Sequence, residues 1–286
     1  MTRVITVANQ KGGVGKTTST VNIAAAIAQA GFSVLVIDMD PQGNASTALG
    51  AVHHEGTPSI YEVLTGDLTL GDVIQPCPDV PGLSTAPATI DLAGAEIELV
   101  ALVAREYRLV RAVEGYLQHF EDLNGRPLDY VFLDCPPSLG LLTLNGLVAA
   151  REVLLPIQCE YYALEGLSQL LRTVDMVRTH LNPQLVVSAI LLTMYDGRTR
   201  LASQVADEVR THFGAQVLDM IIPRSVRVSE APSYGQTVVT YDPTSSGALA
   251  YREAAAQVMA MSASRDGATD PTGEVLSTEL STDITP

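Results

Sequence analysis

A glycine-rich loop between a short strand and a helix constrains this chain more than any other feature. Arg3–Ala8 is rich in β-branched residues, and Thr17–Ala30 carries an apolar stripe at helical spacing. The loop between them, residues 9–16, reads Asn-Gln-Lys-Gly-Gly-Val-Gly-Lys. Ser33–Ile37 is a second apolar run, so the order is strand, loop, helix and strand. Strands without polar alternation are typical of a parallel sheet that is covered on both faces.

The alternation of strands and helices continues along the chain. Further strands are predicted at Asp129–Leu133, Glu152–Ile157 and Gln184–Thr193, and helices at Leu92–Phe120 (as two helices), Thr143–Ala150, Ala163–His180, Thr199–Phe213 and Ser245–Met261. This order predicts an α/β, doubly wound fold, with a mostly parallel sheet and helices on both faces, as one domain over residues 1–261. Gly50–Ala88 is rich in Pro and Gly, so we expect an irregular insertion there.

Composition narrows the class of protein. The chain has 286 residues, 47% of them hydrophobic, which excludes disorder throughout. No apolar run reaches the roughly 18–20 residues that span a bilayer. Three cysteines are too few for a disulfide framework, and the first residues do not resemble a signal peptide, so we expect a cytoplasmic protein. Ser262–Pro286 has five acids, one Arg and many Ser and Thr, which predicts a disordered acidic tail.

The glycine-rich loop has the composition of a phosphate-binding site. Its glycines let backbone N–H groups turn toward phosphate oxygens, and the following helix N-terminus adds a partial positive charge. Lys16 is predicted to contact the β- and γ-phosphates of a nucleotide such as ATP, and the Thr17 hydroxyl to bind Mg²⁺. We assign nucleotide binding to Lys11, Gly12, Gly13, Val14, Gly15, Lys16, Thr17 and Thr18.

The lysines of the chain are concentrated in this loop. They are Lys11 and Lys16, and the other 15 basic residues are arginines. An ammonium group acts on phosphate as a point charge, whereas a guanidinium group acts as a planar fork. The general phosphate-loop pattern has a glycine where Gln10 stands. Because Lys16 already serves the nucleotide of its own subunit, we expect Lys11 to reach a phosphate held by a facing subunit.

Acidic residues follow two of the predicted strands. Asp38 and Asp40 come after Val34–Ile37, and Asp134 comes after Tyr130–Leu133. The carboxyl ends of parallel strands share one edge of a sheet, so these acids should converge beside the loop. Asp134 is predicted to hold Mg²⁺ through water, Asp40 to orient the attacking water, and Asp38 to lie near the metal. The predicted metal residues are thus Thr17, Asp38, Asp40 and Asp134, and the predicted catalytic residues are Lys11, Lys16 and Asp40.

A dinucleotide-binding fingerprint is an alternative interpretation of the loop. Gly13 and Gly15, with Asp38 downstream, imitate that pattern, in which the acid binds a ribose hydroxyl. The fingerprint needs a third glycine where Thr18 stands, and it makes no use of the Lys-Thr pair before it. The residues therefore favour the phosphate loop of an ATPase.

Longer segments of the chain resemble a known family. Lys11–Thr18 is similar to the deviant Walker A motif of the ParA/Soj and MinD ATPases, and Ala8–Thr18 with Val34–Ser46 resembles the chromosomal ParA (Soj) type. Further similar segments are Asp134–Ser138, Leu154–Gly166 and Ile222–Pro232, so that the resemblance covers about residues 2–260. It implies an ATP-bound sandwich homodimer that binds double-stranded DNA without sequence preference on the nucleoid. A ParB/Spo0J-like partner then stimulates slow hydrolysis and releases the dimer.

The resemblance also implies roles for single residues. The lysine at position 11 reaches across the dimer, and the acid at position 40 supports hydrolysis. The nucleotide base lies near Met194 and the loop at Pro223 and Arg224.

DNA binding by this chain requires a local excess of positive charge, because its net charge is −15. From Asp196 to Glu230 five arginines balance five acids, whereas the remainder has 12 basic and 27 acidic residues. By the resemblance, Arg198 and Arg227 contact DNA phosphates, and Arg224 contacts either the nucleotide or the DNA.

Three other functions remain as alternatives. A MinD-like ATPase that cycles on membranes needs a helix with a basic polar face, which the acidic tail does not provide; no stable membrane association is expected. An iron protein of the nitrogenase type needs paired cysteines, for which Cys135 and Cys159 qualify by number only. A regulatory module would bind nucleotide without turnover.

Overall fold

A mostly parallel sheet forms the centre of the molecule. The computed structural model describes residues 1–160 and 163–266, and only the backbone at 163–165 and 262–266. The strands are β1 (Arg3–Val7), β2 (Val34–Asp38), β3 (Gln75–Pro76), β4 (Leu83–Ala86), β5 (Tyr130–Asp134), β6 (Glu152–Gln158) and β7 (Val186–Thr193). In this part of the chain they form a seven-stranded sheet in the order β3-β4-β2-β5-β1-β6-β7. Every pair is parallel except β3 with β4.

Helices cover both faces of this sheet. The longer ones are α1 (Lys16–Gln29), α5 (Leu92–Val100), α6 (Arg108–Asn124), α7 (Leu141–Ala149), α8 (Ala163–His180), α9 (Arg200–Phe213) and α12 (Ser246–Asp266). The short ones are α2 (Asn44–Ala48), α3 (Ile60–Thr65), α4 (Leu70–Val73), α10 (Val226–Glu230) and α11 (Val238–Tyr241). One core contains buried side chains of α1, α2, α11 and α12, and the other contains those of α3 to α9. The expected doubly wound architecture is confirmed.

Burial of the central strands explains their composition. All five residues of β2 and of β5 are buried, as are four of the five in β1. Since both faces are packed against helices, no position in these strands is left to a solvated polar side chain. Strands β2 and β5 therefore read as continuous apolar runs that end in an acid.

The expectation of an irregular insertion at Gly50–Ala88 is wrong. This region contains α3, α4, β3 and β4, and β4 pairs in parallel with β2, with Leu83 opposite Val34. Strand β4 reads Leu-Ser-Thr-Ala, which has no apolar run, so its pairing depends on the neighbouring strand and not on its own sequence. The helices had a local signal, because α3 and α4 both begin with a capping box, Ser59 with Glu62 and Thr69 with Asp72.

The last helix extends beyond the predicted end of the domain. Helix α12 continues past Met261 to Asp266, and Arg3 Nη1 donates a hydrogen bond to the Val258 carbonyl at 2.8 Å. The rest of the predicted acidic tail, residues 267–286, lies outside the described residues. Among the helices that the structure describes, none combines the length and apolar character needed to cross a membrane.

Candidate functional site

The glycine-rich loop has a backbone conformation that glycine alone adopts without strain. Gly13 and Gly15 have φ angles of 75° and 86°, in the left-handed region. Gly15 immediately precedes α1, which begins at Lys16. The amide groups of the loop and the positive end of α1 therefore share one side of the loop, as phosphate binding requires.

Two neighbouring strands anchor the loop. The Thr193 hydroxyl, at the end of β7, donates to the Val14 carbonyl at 2.8 Å. Asn9 donates through Nδ2 to the Pro156 carbonyl in β6 at 2.8 Å, and its Oδ1 accepts the Lys11 N–H at 3.0 Å. Side-chain hydrogen bonds thus hold the loop in place. Their partners, Pro156 and Thr193, are distant in the sequence and are not part of the loop motif.

The side chains of the two lysines diverge. Lys16 is 6% exposed, and its Nζ donates to the Lys11 carbonyl at 3.2 Å. Burial lowers the pKa of Lys16, and the charges of Asp134 and Asp40 oppose that shift. In contrast, Lys11 Nζ forms an ion pair with Glu160 Oε2 at 2.8 Å, with the two side chains 38% and 50% exposed. Lys16 therefore lies inside the loop, and the Lys11 ammonium lies outside it.

Asp134 joins the loop helix to the sheet. Its two carboxylate oxygens accept hydrogen bonds from the hydroxyls of Thr17 at 2.7 Å and Thr20 at 2.8 Å. The pairing of β2 with β5 places Asp38 directly opposite. Burial raises the pKa of Asp134 to about 7, and the nearby charge of Asp38 acts in the same direction. Thr20 was not predicted from the sequence, although it lies about one turn after Thr17 in α1.

Asp38 is held by the residues that follow it. Its Oδ2 accepts the N–H and the hydroxyl of Ser46 at 2.8 and 2.7 Å, and its Oδ1 accepts the Asp40 N–H at 3.1 Å. The Ser46 hydroxyl also accepts the Ala88 N–H at 3.0 Å. Burial raises the pKa of Asp38 to about 6. Asp38 thereby fixes α2 against the end of β2, a contact that sequence reasoning missed.

A cavity of about 420 Å³ opens beside the loop. Its lining residues are Gly12, Gly13, Gly15, Lys16, Thr17, Thr18, Val21, Asn22, Asp40, Gln42, Asn44, Thr47, Ala48, Pro137, Met194, Pro232, Gln236 and Val238. The structure thus brings Asp40 and Met194 to the same cavity as the loop. Met194 has a φ of 51°, a left-handed conformation at a non-glycine residue.

Other predicted residues lie outside this wall. Asp38 and Asp134 lie behind it, and Asp134 is joined to it through the Thr17 hydroxyl. Pro223 and Arg224, expected near the nucleotide base, do not line the cavity, and Pro232, Gln236 and Val238 do.

Asn22 in α1 forms the contact that holds the segment of Pro232, Gln236 and Val238 against the glycine-rich loop. Its Oδ1 accepts the Val238 N–H at 2.7 Å, which ties α11 to α1. The sequence signal that could have identified this contact is an asparagine between two apolar residues of the helix, and the structure leaves that side chain only 2% exposed.

Comparison with known proteins identifies the family. Residues 2–187 match the family model described as AAA domain. The chain is 50% identical over 260 residues to the Bacillus subtilis sporulation initiation inhibitor protein Soj, covering 91% of this chain and 99% of that protein. It is 49% identical over 257 residues to the Caulobacter vibrioides chromosome partitioning protein ParA, covering 90% and 94%. The chain belongs to the ParA/Soj family of chromosome-partitioning ATPases.

A solved structure with a similar fold contains nucleotide and magnesium. The Mycobacterium smegmatis protein described as cobyrinic acid a,c-diamide synthase, crystallised with ADP and magnesium, is 39% identical to this chain. Its TM-score is 0.77, and the match covers 96% of this chain and 100% of that one. Nucleotide and Mg²⁺ are therefore bound within this fold family.

The residues beside the loop fit a magnesium ion whose ligands are mainly waters and nucleotide phosphates. The described part of the chain has no group of three or more His, Cys, Asp or Glu side chains that would hold a metal by itself. Mg²⁺ usually keeps several waters and takes one or two protein oxygens plus substrate phosphates. Thr17 Oγ1 and Asp134 Oδ2, 2.7 Å apart, are oxygen atoms of that kind beside the loop.

The arginines expected to contact DNA are exposed and ion-paired. Arg198, with its side chain 88% exposed, donates from Nε and Nη2 to the two oxygens of Asp196 at 2.8 and 2.7 Å. Arg227 pairs with Glu230 at 3.1 Å and with Asp242 at 3.4 Å. Hydrogen bonds from Arg198 hold the pKa of Asp196 down, at about 2.

The loops that carry these arginines are neighbours. Tyr195 and Pro223 form a parallel bridge, and the Arg224 N–H donates to the Tyr195 carbonyl at 3.2 Å. Arg224 also contributes to the low pKa of Asp196 through its charge, after the larger effect of Arg198. The segments before α9 and before α10 therefore meet at the end of β7.

The cysteines of the iron-protein alternative are buried. Burial raises the pKa of Cys135 above its usual range and that of Cys159 to about 11. Thiols held in this way are protonated, whereas metal ligation uses the thiolate. Their surroundings favour a role in core packing.

Proposed function

We propose that this chain is an ATPase that positions DNA cargo. It binds ATP with Mg²⁺, forms a homodimer around the nucleotides, and in that state binds double-stranded DNA without sequence preference. A ParB/Spo0J-like partner stimulates a slow hydrolysis and so releases the DNA. The divergence of Lys16 and Lys11 is the observation that carries this proposal, because one loop presents one ammonium group to its own cavity and a second to its surroundings.

Within one subunit, the cavity residues have separate tasks. Lys16 and the loop amides hold the phosphates, and Thr17 with Asp134 positions the metal. A bound Mg²⁺ would neutralise charge on the phosphates during hydrolysis. Asp40, which is 8% exposed in the cavity wall and accepts the Gln42 N–H through Oδ1 at 3.0 Å, leaves its other oxygen for the attacking water. A water placed in line with the terminal phosphate is the main requirement of this reaction.

Lys11 completes the site of the other subunit. An exposed ion pair such as Lys11–Glu160 contributes only about 0–1 kcal/mol, so a triphosphate on a facing subunit can replace Glu160 at little cost. Hydrolysis removes the phosphate that Lys11 contacts. The dimer is then stable only while ATP remains intact.

Dimerisation also explains why DNA binding would depend on ATP. One subunit offers few arginines to the phosphate backbone, and the chain is strongly acidic. Two joined subunits double the number of phosphate contacts, which raises affinity and steepens its salt dependence. Arg198 and Arg227 are the proposed contacts, and Arg224 lies beside them. We propose a cytoplasmic, nucleoid-associated location on this basis.

A DNA titration with ADP, ATP and a slowly hydrolysed analogue, with particle size measured in parallel, tests the proposal. We expect DNA retention and a doubled mass with ATP and the analogue only. Lys11→Ala should bind ATP but remain monomeric and release DNA. Arg198→Glu and Arg227→Glu should dimerise without retaining DNA.

Arg178→Glu is the matched control for charge reversal, because Arg178 is an exposed, ion-paired arginine on α8. It should retain DNA as the unmodified chain does. Dimerisation and DNA retention by Lys11→Ala would contradict the proposal. Sedimentation with liposomes in ATP, without DNA retention, would instead favour membrane cycling.

A further inference from the structure

A groove of about 550 Å³ lies between α6 and the segment of α3 and α4. These helices belong to the core that contains the buried side chains of α3 to α9. Its apolar wall includes Val63, Leu68 and Leu70, and its α6 side includes Ala112 and Gly115. A Cβ atom built on Gly115 meets no atom within 4 Å, so the groove is open at this point. It shares no residue with the nucleotide cavity.

The basic side chains that line this groove all come from one helix. Arg108, Arg111 and His119 lie along α6, and none of the described lining residues is acidic. Arg108 is held by the carbonyls of Leu64 and Thr65, to which it donates at 2.8 and 2.6 Å. Arg111 and His119 are exposed and make no hydrogen bond or ion pair with described residues. In a chain of net charge −15, a groove with this lining is suited to an acidic, partly apolar segment.

The chain itself contains such a segment. Residues 267–286 carry four acids and no basic residue. Apolar side chains alternate with these acids in the second half, at Val275, Leu276, Leu280 and Ile284. The apolar and acidic side chains of this segment therefore match the apolar and basic residues that line the groove.

The segment is long enough to reach the groove. Helix α12 ends at Asp266, and its Val258 carbonyl is bonded to Arg3 at the edge where β1 begins. Helix α6 ends at Asn124 and leads to β5, which begins on the same edge. The 14 residues from Asp266 to Leu280 span up to roughly 46 Å when extended. A folded domain of this length has a radius of gyration of about 19 Å and so a diameter of about 50 Å, which is comparable with the reach of the extended segment.

We propose that the segment around Glu274–Asp283 docks in the α3–α4–α6 groove of its own chain. Its carboxylates pair with Arg111 and His119, and Leu276 and Leu280 contact the apolar wall. Because the segment is tethered, its effective concentration at the groove is high, and weak contacts suffice to keep it bound. The docked segment would then shield the groove from other acidic partners.

The absence of tryptophan from the sequence provides a specific test. In the full chain, Leu280→Trp introduces a single indole into the segment. We expect a blue-shifted emission and several-fold weaker acrylamide quenching than for the same residue in the isolated peptide 267–286. Adding Gly115→Leu should abolish both effects, since this side chain fills the groove from a position where the helix has room. Adding Arg111→Glu with His119→Glu should do the same.

Two further variants distinguish loss of docking from misfolding of the groove variants. Glu274→Gln with Glu279→Gln changes no residue that the structure describes and should also return the emission toward that of the isolated peptide. Arg178→Glu reverses a charge outside the groove and should leave the blue shift intact. Emission equal to that of the isolated peptide in the Leu280→Trp chain would overturn the proposal. A blue shift that appears only at raised protein concentration would overturn docking within one chain.

Discussion

Carboxylates differ between two regions of the molecule: the nucleotide region around the glycine-rich loop, and the arginine surface formed by Arg198, Arg224 and Arg227. Their pKa values are shifted in opposite directions. Burial raises the pKa of Asp134 to about 7 and that of Asp38 to about 6. Hydrogen bonds from Arg198 lower the pKa of Asp196 to about 2. Burial therefore dominates in the first region, and exposed ion pairs dominate in the second. Substitutions should therefore change the free energy of unfolding strongly where groups are buried and only slightly at the arginine surface.

The largest effect is expected for Lys16→Ala. Lys16 is the buried ammonium inside the loop, and no other described cation lines the cavity. Its loss should weaken ATP binding by on the order of 100-fold or more, since a preorganised charge on phosphate is removed. Titration with a fluorescent ATP analogue measures this. Lys11→Ala is the control and should keep affinity within a few-fold; equal affinities of all three chains would refute the distinction.

The buried carboxylates should make the ligand-free chain less stable as pH rises. A carboxyl whose pKa is raised on folding binds its proton more tightly in the folded state. Stability therefore falls between about pH 4 and about pH 7, as these groups are forced to ionise while buried. Asp134→Asn should recover roughly 2 to 4 kcal/mol at about pH 8, since each pKa unit corresponds to about 1.4 kcal/mol.

Urea unfolding of the two chains without nucleotide, at about pH 4 and about pH 8, measures this effect. The difference between the chains should be small at the lower pH, where both hold a neutral group. Equal stability at the higher pH would mean that the fold compensates the buried charge.

A smaller loss of stability is expected for Ser46→Ala. The Ser46 hydroxyl donates to Asp38 at 2.7 Å and accepts the Ala88 N–H at 3.0 Å, so both partners lose a bond in a buried place. The cost should be about 1–3 kcal/mol in urea unfolding. Ser19→Ala is the matched control, because Ser19 is also buried but its contact with the Tyr251 hydroxyl is long, at 3.4 Å. A larger loss for Ser19→Ala would contradict this ranking.

The smallest effect on stability is expected for Asp196→Asn at the arginine surface. A carboxyl whose pKa is lowered on folding contributes stability above its ordinary pKa, and this is lost as pH falls toward about 2. Because the pair is exposed, unfolding near neutral pH should be almost unchanged.

The same variant sharpens the DNA-binding proposal. Removing the carboxylate frees Arg198, so DNA retention with ATP should increase a few-fold in a salt titration. Thr199→Ala, a neighbouring change without charge, should not increase retention. Weaker DNA binding by Asp196→Asn would show that Asp196 orients Arg198 and does not compete with DNA.

The loop region shows how far local sequence reasoning reaches. Gly13 and Gly15 were predicted to shape a phosphate loop, and their positive φ angles have the required form. The convergence of acids at one edge followed from parallel pairing alone, and Asp38 lies opposite Asp134. Ser46 was missed because it binds Asp38 through a turn whose geometry no motif in the sequence specifies.

Regions whose structure depends on distant neighbours were less predictable. Strand β4 has no apolar run of its own and is ordered by pairing with β2. The cavity wall was expected at Pro223 and Arg224, but Pro232, Gln236 and Val238 line it, since Asn22 in α1 holds the Val238 N–H.

The sequence by itself determined the fold class, the loop and the edge at which the acids gather. These follow from apolar periodicity, from glycine positions and from the shared direction of parallel strands, all of which are local properties of the chain. Only the tertiary structure decided that Lys11 pairs with Glu160 and that Asp134 and Asp196 have opposite pKa shifts. Both outcomes depend on burial and on partners far along the chain, and therefore on the packing of the whole domain.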